Sequence, residues 1–170
     1  MTNSQKTKTQ QIVFMAVLIA INIILSRFLS ISAWNFKIGF SFVPVVIAAL
    51  YFGTWQAGIV AGMGDFIGAM LFPIARYFPG FTLVAFCTGI AYGIFLNKKQ
   101  TLSRIICVVI LTELIGSVLL NSLWISLLFG SPYWAILPPR LVQAGVMTIV
   151  KCVVIRLIVS YTPTLRKHTA

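Results

Sequence analysis

Long apolar stretches alternate with short breaks rich in Pro, Gly or Lys, and this alternation constrains the fold more than any other feature of the chain. The apolar stretches fall at about residues 12–29, 38–52, 56–72, 81–96, 104–129 and 138–160. A helix needs ~20 mostly apolar residues to cross a ~30 Å hydrocarbon layer. In lipid the backbone must satisfy its own hydrogen bonds, and a helix does so within one segment. Only 9% of the residues are charged and mean hydropathy is +1.00, whereas a soluble domain carries about a quarter charged residues. The expected fold is an all-α integral membrane protein of six transmembrane helices, one domain over residues 1–170 with short polar tails at 1–11 and 161–170. The polar, basic segment before the first span carries no small-residue cleavage site after it and is read as a cytoplasmic tail, not a secretory leader.

The basic residues set the orientation. Eight of them, Lys6, Lys8, Lys98, Lys99, Arg104, Arg156, Arg166 and Lys167, fall at one set of span ends, which the positive-inside rule makes cytoplasmic. Both termini are then inside. Four others, Arg27, Lys37, Arg76 and Arg140, fall at or near the outer ends, and Lys151 lies within the sixth span. The net charge of +11 does not indicate nucleic-acid binding, because the basic residues are scattered around span ends.

The breaks have their own character. Ser30–Asn35, with Trp34, forms an outer loop, and Gly53-Thr54-Trp55 is a tight turn that makes the second and third spans antiparallel neighbours. Pro44 is expected to kink the second span. The segment 73–80, PIARYFPG, and the segment 130–134, GSPYW, are outer loops broken by Pro and Gly and rich in aromatics. Pro138 and Pro139 suit the first turn of the sixth span, where a missing N–H costs nothing. Cys87, Cys107 and Cys152 lie in apolar stretches without metal-ligand spacing and are read as buried free thiols, with no metal site.

Outer arginines beside aromatic residues suit a flat anionic ligand that arrives from outside. Lys37 is read as a headgroup anchor, and snorkelling is the plain alternative for Arg27, Arg76 and Arg140 as well. Asp65, in Gly62-Met63-Gly64-Asp65-Phe66-Ile67-Gly68, is an intramembrane carboxylate and so a functional-site candidate. It is read either as an acceptor for an N–H-rich heterocycle or as the partner of Arg27 or Arg140. Asn121 and Gln143 could read heterocycle edges and Trp124 could stack, while helix-to-helix glue and an aromatic belt explain the same residues. Tyr133 and Trp134 sit where a lid would. Glu113 and Lys151 lie 21 residues before and 17 after Trp134, which puts them at similar depth in antiparallel helices and predicts a structural ion pair.

Gly58/Gly62, Gly64/Gly68, Gly89/Gly93 and Ala16/Ala20 are each four apart, a spacing that lets helix backbones approach closely. The chain lacks a P-loop and an HExxH motif, and its single histidine, His168, is in the tail. Two acids leave little for general acid–base chemistry, so no enzyme activity and no cofactor are expected. A lipid-modifying enzyme using Asp65 and Glu113 would need them in one site, but they fall on different spans at different depths. A small structural or channel-forming protein packed through its glycine pairs is a further possibility.

Taken together, Leu25-Ser26-Arg27-Phe28, Gly64 to Gly68 through Phe72-Pro73, Phe78-Pro79-Gly80-Phe81-Thr82, Leu120 to Trp124 and Leu137-Pro138-Pro139-Arg140 resemble the substrate-binding (S) components of energy-coupling factor transporters, specifically the folate type. The resemblance spans nearly the whole chain. It implies a six-helix bundle in a prokaryotic cell membrane that captures folate near the outer surface. It also implies partners: a transmembrane T component, touched through an AxxxA motif matched by Ala16 and Ala20, and two cytoplasmic ATPases. Toppling of the whole subunit is the family's proposed mechanism. Folate carries an N–H-rich pterin, a flat middle and a dicarboxylate tail. Asp65 would meet the pterin. Phe78, Trp124, Tyr133 and Trp134 supply stacking surfaces, Thr82, Asn121 and Gln143 polar contacts, and Arg27, Arg76 and Arg140 the cations. An S component for another vitamin is the nearest alternative.

Overall fold

The computed structural model describes residues 3–33, 36–73, 77–97, 100–130 and 132–167. Among these residues the chain forms six helices and one small hairpin: α1 (Asn3–Arg27), β1 (Ile31–Ala33), β2 (Phe36–Ile38), α2 (Phe42–Tyr51), α3 (Thr54–Leu71), α4 (Pro79–Leu96), α5 (Leu102–Phe129) and α6 (Tyr133–Lys167). The expected all-helical bundle is present, and four of its six helices have the length and composition to span a membrane. Lys8–Arg27, Pro79–Leu96, Leu102–Phe129 and Tyr133–Tyr161 are long and apolar enough to cross a membrane. α2 has 10 residues, about 15 Å at 1.5 Å per residue, half the hydrocarbon thickness. α3 has 18 residues but carries Gln56, Asp65 and four glycines.

Local chemistry accounts for the boundaries. The apolar stretch expected at 38–52 is divided: β2 ends at Ile38, and α2 starts only at Phe42. Within the expected outer loop at 30–35, Ile31–Ala33 form a strand that pairs antiparallel with Phe36–Ile38, Ile31 opposite Ile38 and Ala33 opposite Phe36; Trp34 and Asn35 lie outside the described residues. Pro44 does not kink a helix, because it occupies the first turn of α2, where its missing N–H has no partner to lose. Gly53, at φ +100°, makes the sharp turn from α2 to α3, a conformation closed to most side chains. Gly130, at φ +64°, ends α5 in the left-handed cap that glycine favours. α6 begins at Tyr133, so Pro138 and Pro139 stand in its second turn, not its first. The helix bonds they forgo belong to the carbonyls of Trp134 and Ala135, residues the structure exposes.

α3 and α4 form the most extensive contact, and glycine makes it possible. A methyl group at Gly89 would strike the Ala57 carbonyl, and one at Gly93 would strike Thr54 Cα. On the facing helix, Gly58 and Gly62 receive Phe86 and Ile90. α1 packs against α3 in the same way: a Cβ at Gly64 would lie 2.7 Å from Asn22 Oδ1, and one at Gly68 3.1 Å from Arg27 Nε. These three glycine pairs are therefore packing surfaces within the chain. Ala16 and Ala20 differ, since both are exposed on α1.

The core is a run of small and branched residues. Val46, Ala48, Ala49, Ala57, Val60, Tyr92, Leu96, Ile105, Val108, Val109 and Ile155 are all fully buried. The outward surface is equally apolar, with Ile12, Val17, Leu83, Leu127, Val142 and Ile149 exposed. The three cysteines are corrected accordingly: all are free, but Cys87 and Cys107 are exposed on this outer surface and Cys152 is half-buried.

The middle of α5, Thr112–Leu120, is wound as a π-helix, which the sequence does not predict. It begins where the Thr112 hydroxyl donates to the carbonyls of Val108, at 2.8 Å, and Val109, at 3.1 Å, competing with the regular backbone ladder. The predicted pair is present at this point. Glu113, at the start of the π stretch, is bound by Lys151 of α6, and both side chains are almost fully buried. The Lys151 ammonium also lies 5.4 Å from the centre of the Phe42 ring on α2, so the pair ties α5 and α6 to the first half of the bundle. Lys151→Met is expected to destabilise the protein by about 3–5 kcal/mol, because it strands a buried carboxylate, and Glu113→Met added to it should restore most of the loss. Reversible unfolding in mixed micelles measures both variants; equal destabilisation by the single and the double variant would count against the pair.

Candidate functional site

Asp65 stands in the twelfth position of α3, where its neighbours Gly64 and Gly68 let α1 come close. One face of its carboxylate is held by a relay of hydroxyls. The Thr82 hydroxyl on the first turn of α4 donates to Asp65 Oδ2 at 3.0 Å. Tyr77 Oη lies 3.2 Å from the same Thr82 oxygen. Thr82 has a single hydroxyl hydrogen and gives it to the carboxylate, so Tyr77 is the donor of this second bond. Phe66 braces the Tyr77 ring edge-on at 5.9 Å between centroids. The other carboxylate oxygen faces Arg27, with Nη2 to Oδ1 at 3.9 Å. Arg27 is 11% exposed and Asp65 31%, so the pair sits at the edge of the buried region. The Arg27 guanidinium is laid over Gly68, and its Nε is buried without a hydrogen-bond partner.

An aromatic wall continues from the start of α4. Phe78, at the N-cap, stacks at 5.0 Å on Trp124 of α5, and Phe81 meets Phe78 at 6.5 Å. Gly80 leaves the room for this: a Cβ there would lie 2.7 Å from Trp124 and 2.6 Å from Phe78. Trp124 Nε1 is buried with no acceptor, Asn121 Oδ1 with no donor, and the hydroxyl of Ser122, which has no exposed surface, with no partner. Further along the same helix, Arg140 Nη1 reaches from α6 to donate to the Ser117 carbonyl, at 3.0 Å, in the π stretch. Arg140 Nε is buried and unbonded. Ser117, Asn121 and Trp124 follow at i, i+4 and i+7, the spacing of one helix face in a regular helix.

The structure thus assembles Arg27, Asp65 and Thr82 into one cluster and Phe78 and Trp124 into an adjoining wall, with Arg140 held on the same helix as Trp124. Gln143 is buried at 6% exposure on α6. Tyr133 and Trp134 lie in the first turn of α6, not in a loop; they meet each other edge-on at 6.1 Å, and Trp134 is 81% exposed. Arg76 lies outside the described residues. Tyr77, Phe66 and the buried Asn22, whose amide donates to the Ser41 carbonyl at 2.9 Å, complete the surroundings and were not singled out from the sequence. Tyr77 had a signal there, as the only hydroxyl in the proline-bounded loop beside Arg76. Among the described residues no group of His, Cys, Asp or Glu could hold a metal ion.

Such a site can accept hydrogen bonds at Asp65, stack a flat ring against Phe78 and Trp124 and bind an anion at Arg140. It offers no nucleophile beside a base. The family comparison agrees with a capturing role: the model of the substrate-specific component of ECF transporters matches residues 10–159. The chain belongs to that family, which serves transport, and it is not an enzyme.

Individual relatives sharpen this. The chain is 36% identical over 149 residues to the folate transporter FolT of Clostridium novyi (strain NT), covering 87% of each chain. It is 29% identical over 149 residues to FolT of Leuconostoc mesenteroides subsp. mesenteroides, covering 84% of this chain and 80% of that one. Its fold matches the crystal structure of FolT bound with folic acid at TM-score 0.84 and 36% identity, over 88% of this chain and 92% of the other. An S-component for biotin, at TM-score 0.68 and 20% identity over 94% and 95% of the two chains, shares the fold.

Thr82→Val should lower stability by about 1–3 kcal/mol, because it removes a hydrogen bond to a charged acceptor, and Thr82→Ser should recover most of that. Thermal unfolding in detergent reads the difference. A neutral Thr82→Val would mean that the relay contributes nothing to holding Asp65.

Proposed function

We propose that the protein captures folate at the outer face of a prokaryotic cell membrane and delivers it as the S component of an ATP-driven ECF transporter. The observation that carries this reading is the combination of a fixed carboxylate, an aromatic wall and a half-buried cation without an acidic partner. Asp65, neutralised by Arg27 and fixed by Thr82 and Tyr77, suits the N–H edge of a pterin. The Phe78–Trp124 wall suits the flat middle of the molecule. Arg140, and by sequence position Arg76, suit a carboxylate tail. The likeness to FolT bound with folic acid supports the same substrate. A neutral vitamin such as riboflavin would leave the buried guanidinium groups without a role.

The topology follows the charges: termini inside, six segments embedded, and α2 reaching only part of the depth while the hairpin before it lies at the outer end. The polar tails 1–11 and 161–170 flank a single membrane domain. A transmembrane T component and two cytoplasmic ATPases complete the transporter. Ala16 and Ala20, exposed on α1 and unused within the chain, offer the T component a place for close helix approach. Release to the cytoplasm by toppling of the whole subunit is consistent with a bundle held rigid by the α3–α4 glycine contact and the Glu113–Lys151 pair. Asn121, Gln143, Tyr133 and Trp134 complete the set of candidate binding residues.

Calorimetry on the purified protein with a vitamin panel tests the reading. Folate or a reduced folate should bind at about 1:1 without ATP, and Asp65→Asn should weaken binding ~10- to 100-fold, the cost of a charged hydrogen bond. Saturation by another vitamin with no competition from folates would overturn the substrate. Ala16→Trp should leave this binding unchanged and abolish folate uptake by the reconstituted transporter. Uptake at the wild-type rate would remove Ala16 from the partner surface.

A further inference from the structure

The chain contains two acidic residues, and both are already committed to cations. Asp65 pairs with Arg27, and Glu113 pairs with Lys151. No third side-chain carboxylate exists for Arg140. Its recorded partner is the Ser117 carbonyl, a neutral acceptor, while its Nε is buried and bonded to nothing. A cation withdrawn from water and lacking a counter-ion is costly unless an anion completes it. Arg27 has an unbonded Nε too, but its charge is balanced by Asp65.

The helix that carries the Ser117 carbonyl holds a second buried donor. Trp124 Nε1, two turns of helix further on from Ser117, is buried without an acceptor. Its ring is fixed by Phe78 and Gly80, close to the turn that carries Thr82. The π stretch that supplies the Ser117 carbonyl packs at Gly116 against Val84 and Thr88 of α4, about half a turn and about one and a half turns past Thr82. Along α4 the Phe78–Trp124 wall therefore stands at Gly80, the Asp65 cluster at Thr82, and the segment that anchors the uncompensated cation at Val84 and Thr88.

The structure assigns the two arginines different work: Arg140 is the specificity-determining receptor for the ligand's carboxylate, and Arg27 is a positioning residue that neutralises and orients Asp65. The assignment rests on the folate reading and deepens it. Arg140 exchanges nothing covalently; a guanidinium edge that now faces no acceptor takes one oxygen or two of an incoming carboxylate, with the Ser117 carbonyl keeping the group in place. Arg27 contributes to affinity equally whether or not the ligand is charged.

Calorimetry with folate and with its neutral glutamate diamide separates the roles. The wild-type protein should prefer folate by ~10- to 100-fold, the range for one charge-assisted contact. Arg140→Gln should bind both compounds alike, at the affinity the wild type has for the diamide. Arg140→Lys, which keeps the charge but loses the planar fork, should retain part of the preference. Arg27→Gln should weaken both compounds by the same factor. A wild-type protein without preference, an Arg140→Gln protein that still discriminates, or an Arg27→Gln protein that does not, each overturns the assignment. Thermal stabilisation by 4-aminobenzoylglutamate, which lacks the pterin, gives a readout that does not require folate to be the vitamin. A shift seen in the wild type and in Asp65→Asn but lost in Arg140→Gln supports the assignment even if folate itself fails to bind. The same shift in Arg140→Gln, or none in the wild type, overturns it.

Discussion

The glycine contact between α3 and α4 is the constraint on which the rest of the arrangement depends. Where Gly89 meets the Ala57 carbonyl and Gly93 meets Thr54, the two backbones touch directly, with no side chain to absorb an error. Close packing of this kind replaces the hydrophobic effect, which gives no advantage to helix association among lipid tails. It fixes the rotation of α3 and α4 about their axes as well as their distance. Asp65 on one helix and Thr82 on the other therefore meet at 3.0 Å without a loop to place them. Gly64 and Gly68 extend the same device to α1 and lay Arg27 along α3 toward Asp65. A carboxylate and a guanidinium within a bundle are stable only if they find each other, and here backbone contact brings them within reach.

Much of this was legible in the sequence, and the legible parts share a cause. Charges in an apolar chain are so costly that their positions carry information. Counting outward from the turn near Trp134 placed Glu113 and Lys151 at similar depth because two antiparallel helices rise equally per residue, and the ion pair is there. A pairing of Asp65 with Arg27 or Arg140 was one expected reading for the same reason, and Arg27 is the partner in the structure. The glycine pairs were legible as contacts, since spacing by four keeps both on one helix face, and the structure uses three of the pairs internally.

What was not legible also has physical reasons. The cysteines read as buried because an apolar stretch looks the same whether it faces protein or lipid, and Cys87 and Cys107 face outward. The stretch 38–52 read as one span because Ile38 and Phe40 run on into the apolar α2, and only the backbone pairing of Ile38 with Ile31 marks where the strand ends. The π stretch of α5 leaves no compositional mark: its residues are ordinary helix formers, and the change lies in which carbonyl each N–H selects. Three candidate arginines could not be ranked, because rank depends on which of them the sole nearby carboxylate consumes.

That last point decides how attraction and orientation are shared within the site. An Arg27–Asp65 pair is neutral as a unit, so it draws no anion from a distance and acts only on a ligand already in contact. Its directionality is high, because Thr82 and Tyr77 fix one carboxylate oxygen and Arg27 faces the other. Arg140 is the reverse case: a half-buried cation whose recorded bond is to a backbone carbonyl, with strong attraction and little fixed direction of its own. The π-wound segment of α5 gives it direction by presenting the Ser117 carbonyl to one nitrogen and leaving the others free. A ligand with a hydrogen-bonding edge but no anion would use only the first device, and a simple carboxylate only the second. The Phe78–Trp124 wall adjoins the Thr82 turn, so a flat molecule that carries both groups engages both devices and the wall at once.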